Sequence, residues 1–381
     1  MNPTVTFPAG ILLAEADPVV QIRSGHGATS QDLSLAAQST LEPLEMRHED
    51  LAMRVGGGAV AGAATGAAIG VVVAGPAGVV VGAGLGAAVG ALSGAAAGAT
   101  IAPPLAASAA EAVQHSVRLH IEDSGGSGRP VVLIHGWPLT AQAWEPQVSV
   151  LRAAGFRVVA YDRRGFGRSD RPASGYGYDA LADDLMRVLD QCGLRNVTLV
   201  GFSMGGGEVA RYVARHGEAR LHSVVFAAAV PPYLMKSADN PDGPLTSEKA
   251  REARHALEQD RESFFDQFTK SFYSANGALT VTEKQLRDAV ALCNQSAQHA
   301  ALACMDSFGT TDFREDLKKV TVPTLVIHGD ADAVVPFEGS GQRTHRAVPH
   351  SKLVRLSGAP HGVNVSHAQA FNNALLSFLQ E

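Results

Sequence analysis

Aromatic residues are almost missing from the first third of this chain. Phe7 is the only Phe, Tyr or Trp before Trp137, although the 381 residues hold 14 Phe, 6 Tyr and 2 Trp. Packed cores draw heavily on aromatic burial, so the first ~115 residues do not read as an ordinary core-forming domain. Charge is missing from part of the same region, because residues 55–110 contain no Asp, Glu, Lys or Arg. Cysteine is scarce as well: Cys192, Cys293 and Cys304 form no C-x-x-C pair. That excludes a disulfide framework and a thiolate zinc site, and reads as three reduced core thiols of a cytoplasmic protein. The net charge is −6 with no cluster of Lys and Arg, which argues against nucleic acid as a partner. No Lys or Arg precedes Arg23, and the apolar run at 11–14 is too short for a secretory core, so no cleaved export signal is expected. The 14 histidines include no H-E-x-x-H or comparable ligand cluster, so no catalytic metal is expected.

What is present in excess is glycine, at 40 residues against about 27 for ordinary usage. Fourteen of the 40 lie between Gly56 and Gly98. Gly58, Gly62, Gly66 and Gly70 recur every fourth residue, as do Gly78, Gly82, Gly86, Gly90, Gly94 and Gly98. Four-residue spacing lines glycines along one helical face, and Ala74-Gly75-Pro76 between the two series is a turn signal. The pattern draws a glycine-zipper helical hairpin with arms of roughly 26 and 34 Å, against a bilayer core of about 30 Å. Such a hairpin would associate with a membrane or with a second copy of the chain through residues 55–100. Against insertion, the arms have few Leu, Ile or Phe and no aromatic belt. A low-complexity Ala/Gly spacer is the alternative.

Three segments result. Residues 1–54 set seven acidic side chains against three arginines and carry a weakly amphipathic helical pattern over 31–55. Residues 55–110 hold the hairpin and a linker after Pro103-Pro104. From residue 111 the texture is that of a globular domain. Short Val-, Leu- and Ile-rich runs at 116–122, 130–135, 157–162, 196–202, 221–227, 323–328 and 352–356 read as strands, most of them buried on both faces. Helical patterns at 141–154, 179–192, 204–216, 342–347 and 367–379 alternate with them. Alternation of this kind predicts a doubly wound α/β fold with a mostly parallel sheet. The interval 231–319 is helical in pattern without a clear strand, and predicts a helical cap over the carboxyl edge of the sheet.

The chemistry concentrates there. Gly201-Phe202-Ser203-Met204-Gly205 places G-x-S-x-G at a strand-to-helix junction, where the glycines leave room for a sharp turn that exposes the Ser203 hydroxyl. A serine needs a base, and the base an acid partner. Both follow in the order Ser203, Asp332, His361: the run 323–332 ends a strand in Asp330 and Asp332, and His361 lies in the loop after the last strand. Asp332 is preferred as the acid because it lies deeper in its loop, with Asp330 supporting the turn. A tetrahedral oxyanion needs two N–H donors, for which the backbones of Met204 and Trp137 are the candidates; Pro138 cannot donate. His135, directly after a strand, reads as a loop brace.

His135-Gly136-Trp137-Pro138, the run 161–169, the run 201–212, Thr311-Asp312-Phe313-Arg314 and Gly358-Ala359-Pro360-His361-Gly362 resemble the cofactor-free haloperoxidase and arylesterase branch of the α/β-hydrolase family. The resemblance covers residues 117–380. It implies ester hydrolysis through an acyl-serine, and perhydrolysis of a small or aromatic ester or carboxylate when hydrogen peroxide replaces water, without haem or metal. A serine at 203, where haloalkane dehalogenases and epoxide hydrolases carry aspartate, speaks against those relatives. A carbon–carbon bond hydrolase of the same fold is the alternative within enzymes; a membrane or assembly module with a hydrolase passenger is the alternative outside them. The glycine-rich extension is outside the family's pattern, and leaves a cytoplasmic location open to membrane attachment through the hairpin.

Overall fold

In the computed structural model the described residues are 117–381. The expectations for 1–54 and for the glycine-zipper hairpin at 55–110 lie outside them. Seven strands form one sheet in the order β1-β3-β2-β4-β5-β8-β9. They are β1 (Ile121–Asp123), β2 (Pro130–Ile134), β3 (Arg157–Tyr161), β4 (Val197–Phe202), β5 (Leu221–Ala227), β8 (Thr324–Gly329) and β9 (Lys352–Leu356). All neighbours pair in parallel except β1, which runs antiparallel to β3. Every residue of β4 and β8 is buried, as expected of strands covered on both faces. The helices between them are α1 (Glu145–Ala153), α2 (Tyr178–Gln191), α3 (Met204–His216), α9 (Gly341–Ala347), α10 (Val363–Ser366) and α11 (Ala368–Leu379).

Between β5 and β8 lie α4 (Ser247–Gln259), α5 (Arg261–Phe272), α6 (Glu283–Cys293), α7 (Gln298–Thr310) and the short α8 (Arg314–Leu317). This interval is not strand-free as the sequence pattern suggests. A two-residue ladder pairs β6 (Ser274–Ala275) with β7 (Ala278–Leu279). Asn276 and Gly277 between them both take positive φ, the requirement of a tight hairpin turn. The first strand is also shorter than the run 116–122. The Arg118 and His120 carbonyls accept from the Asp170 and Asp162 N–H groups, so that stretch is drawn to the loop after β3 instead of the ladder. The run expected as one helix at 141–154 opens as a 3₁₀ turn, Ala141–Trp144, with Pro146 admitted in the first turn of α1.

The sheet order reverses direction between β2 and β4, since β3 lies on one side and β5 on the other. In open α/β sheets the crevice outside the carboxyl ends of the strands at such a point is where ligands bind. The loop 135–138 leaves β2 there and Ser203 leaves β4 there. Cys293 and Cys304 are buried and Cys192 is half-buried, all three as free thiols. Among the described residues no helix is long and apolar enough to cross a membrane.

Candidate active site

Ser203 sits between the last residue of β4 and the first of α3 with φ 53° and ψ −117°. A non-glycine residue in that conformation is strained, and the surrounding structure must hold it. It is held on both sides. The Ser203 N–H donates to the Ala227 carbonyl at 2.9 Å, and its carbonyl accepts from Gly206 at 3.0 Å and Val230 at 3.1 Å. The turn is tight enough that a Cβ on Gly201 would stand 2.5 Å from the Gly205 carbonyl oxygen, and one on Gly205 2.5 Å from the Ile134 carbonyl oxygen. The spacing of the glycines is thereby explained by backbone-to-backbone approach.

The structure brings the three separated side chains together. His361 Nε2 lies 2.9 Å from Ser203 Oγ, and His361 Nδ1 lies 2.7 Å from Asp332 Oδ2. Because a carboxylate can only accept, Nδ1 carries the proton and Nε2 is left to accept from the serine hydroxyl. The imidazole is boxed by two rings, Phe202 at 5.4 Å and Phe272 at 4.8 Å between centroids. Ser203, Asp332 and His361 are all buried. Asp332 Oδ1 accepts from the Val334 and Val335 N–H groups at 2.9 and 2.8 Å. Burial pushes the Asp332 carboxyl up, but the neighbouring His361 charge and hydrogen bonds from His328 and His361 outweigh it and hold the carboxyl well below the usual carboxylate range. Asp330 does something different: its Oδ1 accepts from the Gly358 N–H at 2.6 Å and ties the β8 and β9 loops together.

His328 is the contact that sequence reasoning did not single out. Its Nε2 lies 2.8 Å from the Val335 carbonyl, which forces a proton onto that nitrogen, and 3.2 Å from Asp332 Oδ2. A second imidazole therefore sets an N–H edge against the carboxylate that orients the first. The signal is slight: a histidine at the end of a buried strand, four residues before an aspartate.

On the opposite side, Gly136 lies so close to the nucleophile turn that a Cβ would meet the Ser203 Cβ at 3.1 Å. The loop is braced from beneath by a buried charge network. Arg163 donates to the His135 carbonyl at 2.6 Å and to Glu208 at 2.6 Å, and Tyr161 donates to Glu208 at 2.8 Å. His135 Nε2 accepts from the Arg163 N–H at 2.9 Å, the bracing position its sequence context suggests. Burial, reinforced by the Arg163 charge, drives the His135 imidazole well below its ordinary pKa, so it stays neutral. Among the described residues the backbone N–H groups of Trp137 and Met204 donate to no protein acceptor. The Trp137 indole is turned away into the cap, where Nε1 donates to the Ala301 carbonyl at 2.9 Å and the ring meets Phe264, Phe265, Phe268 and Phe308 edge-on.

A cavity of ≈ 240 Å³ opens above Ser203 and His361, walled chiefly by Trp137, Val230, Leu234, Phe268 and Phe308. Among the described residues no group of three His, Cys, Asp or Glu side chains is arranged to hold a metal ion.

The model of the alpha/beta hydrolase fold family matches residues 129–368. A putative non-heme chloroperoxidase of Synechocystis sp. is 41% identical over 267 residues, which span 70% of this chain and 96% of that protein. A bifunctional esterase/perhydrolase of Acinetobacter calcoaceticus is 38% identical over 273 residues, spanning 69% and 96%. The crystal structure of a bromoperoxidase from Bacillus anthracis superposes with a TM-score of 0.68 at 50% identity, covering 70% of this chain and 96% of that one.

Proposed function

Because the chain belongs to the alpha/beta hydrolase fold family, and within it to the non-heme haloperoxidase and esterase hydrolases, we propose that it cleaves small or aromatic esters through an acyl-serine on Ser203 and transfers the acyl group to water or hydrogen peroxide. The observation that carries this reading is the continuous hydrogen-bonded relay from Ser203 Oγ through His361 to Asp332, at the floor of an apolar cavity. In the first half-reaction His361 Nε2 takes the hydroxyl proton as Oγ bonds to the ester carbonyl carbon. The oxyanion is received by the free N–H groups of Trp137 and Met204. As the carbon–oxygen bond breaks, the leaving alkoxide takes the proton back from His361. In the second half-reaction water or hydrogen peroxide gives a proton to His361 and attacks the acyl carbon, and Ser203 leaves with that proton. The product is a carboxylic acid from water and a peracid from peroxide. A peracid then gives one oxygen to halide away from the protein, becoming carboxylate and hypohalous acid.

Replacing Ser203 by Ala tests this. Both p-nitrophenyl ester hydrolysis and peroxide-dependent halogenation are expected to vanish while circular dichroism and thermal midpoint stay near those of the parent. A variant that kept halogenation would require a separate oxidative site.

A further inference from the structure

The cavity above Ser203 is apolar on every side but one. Lys249 is its one lining residue with a permanent charge. It stands in the first turn of α4, where its N–H donates to the capping Thr246 hydroxyl at 3.3 Å. Pro244 and Leu245 line the cavity too, so the amino end of α4 forms part of its rim. Local stability gives no reason for a lysine here, because the amino end of a helix carries the positive end of its dipole and favours acidic residues. Four residues on stands Ala253, and three residues on stands Glu252, which makes no ion pair with Lys249. Arg254 of the same helix pairs elsewhere, lying 3.0 Å from Glu258 and 2.5 Å from Asp306. Among the described residues no carboxylate lies in ion-pair distance of Lys249, whose side chain is exposed.

We propose that the preferred substrates carry a carboxylate at the end remote from the scissile ester, as the monoesters of small dicarboxylic acids do, and that Lys249 selects them by holding that carboxylate at the rim. The apolar wall takes the intervening methylenes, and the acyl-serine retains the free carboxylate until water releases the dicarboxylic acid. This rests on Ser203 being the acyl acceptor.

The test compares two ethyl esters of the same acyl chain length, monoethyl glutarate and ethyl pentanoate, by ethanol release, with the ratio of their kcat/KM values as the readout. Lys249→Met is expected to lower the ratio of glutarate to pentanoate by about threefold to fivefold, the scale of a partly exposed ion pair. Lys249→Arg should retain it, and sodium chloride at about 0.5 M should erode it in the parent but not in Lys249→Met. A ratio that Lys249→Met leaves unchanged, in a protein that turns over both esters, overturns the inference alone. A parent that cleaves p-nitrophenyl acetate but neither ethyl ester overturns this inference alone, and one that cleaves none of the three overturns the acyl-serine reading and this inference with it.

Discussion

Ser203, Asp332 and His361 hang from the carboxyl ends of strands β4, β8 and β9, whereas the cap reaches the cavity above them through Leu234, Pro244 and Leu245 and through Lys249 of α4, Phe268 of α5 and Phe308 of α7. The two regions are built differently. The strand ends are fixed by backbone contacts too close for a Cβ and by carboxylates with nearly every lone pair occupied. The cap is a layer of half-buried rings: Phe264, Phe268 and Phe308 meet Trp137 at centroid distances of 6.2, 5.2 and 5.6 Å. Geometry held to tenths of an ångström suits bond making, while side chains that can repack suit choosing what enters. On this comparison the sheet edge sets the reaction and the cap sets the substrate.

The comparison breaks if damage at the strand ends is selective or damage in the cap is general. Asp332→Asn should reduce turnover of every ester by about 10⁴-fold, because the histidine loses the acceptor that fixes its tautomer. Asp330→Asn keeps an oxygen that can accept from the Gly358 N–H and gives up only the negative charge facing Arg355, so stability should stay within about 1 kcal/mol and turnover within a few-fold. The reverse ranking would assign the acid to Asp330. Linkage adds a check on the same residue. Since the Asp332 pKa is depressed in the folded protein, the stability it contributes is present above the ordinary aspartate value of about 3.9 and is lost as pH falls through the depressed one. Chemical denaturation from pH 7 downward should therefore show the parent's advantage over Asp332→Asn holding to about pH 4 and shrinking below.

Gly205→Ala sharpens the same side of the comparison. Its Cβ would have to share space with the Ile134 carbonyl, so the turn must open, with an expected loss of about 1 to 3 kcal/mol in stability and a fall in kcat for all esters alike. In the cap, Phe268→Ala should instead alter the ratio of kcat/KM between acetyl and benzoyl esters by about tenfold, with kcat for the smaller ester nearly kept. Equal loss on both esters would mean that Phe268 serves the chemistry. The smallest effect on turnover is expected from Gly82, Gly86 and Gly90 changed together to Leu. If those glycines line a close helix–helix approach, the size or membrane partition of the full chain changes while turnover per active site does not. Identical size and partition would leave the low-complexity reading.

What the sequence made legible divides along the same line. The strand-to-helix turn at Ser203 was readable because its constraint is local: glycines at 201, 205 and 206 sit where the chain must fold back on itself. The loops of Asp332 and His361 were readable because parallel strands deliver their carboxyl ends to one edge whatever lies between. His328 on Asp332 was not, because that contact is made by a loop that folds back over the end of β8. Nor was the ring of Phe272 against His361, which depends on how α5 packs down on the loop at Gly362, where a Cβ would meet the Tyr273 ring at 2.2 Å. Lys249 looked like any exposed helical lysine until the cavity gave it a location.

The central claim is that one acyl-serine serves both water and peroxide. It is tested most directly by product partition. p-Nitrophenyl acetate and phenyl acetate would be offered at a series of hydrogen peroxide concentrations, and peracetic acid and acetate measured together. A shared intermediate predicts a peracid-to-acid ratio that rises linearly with peroxide and is the same for both esters, since the leaving group has departed before the choice is made. A ratio that differs between the two esters, or that survives in Ser203→Ala, would contradict the account.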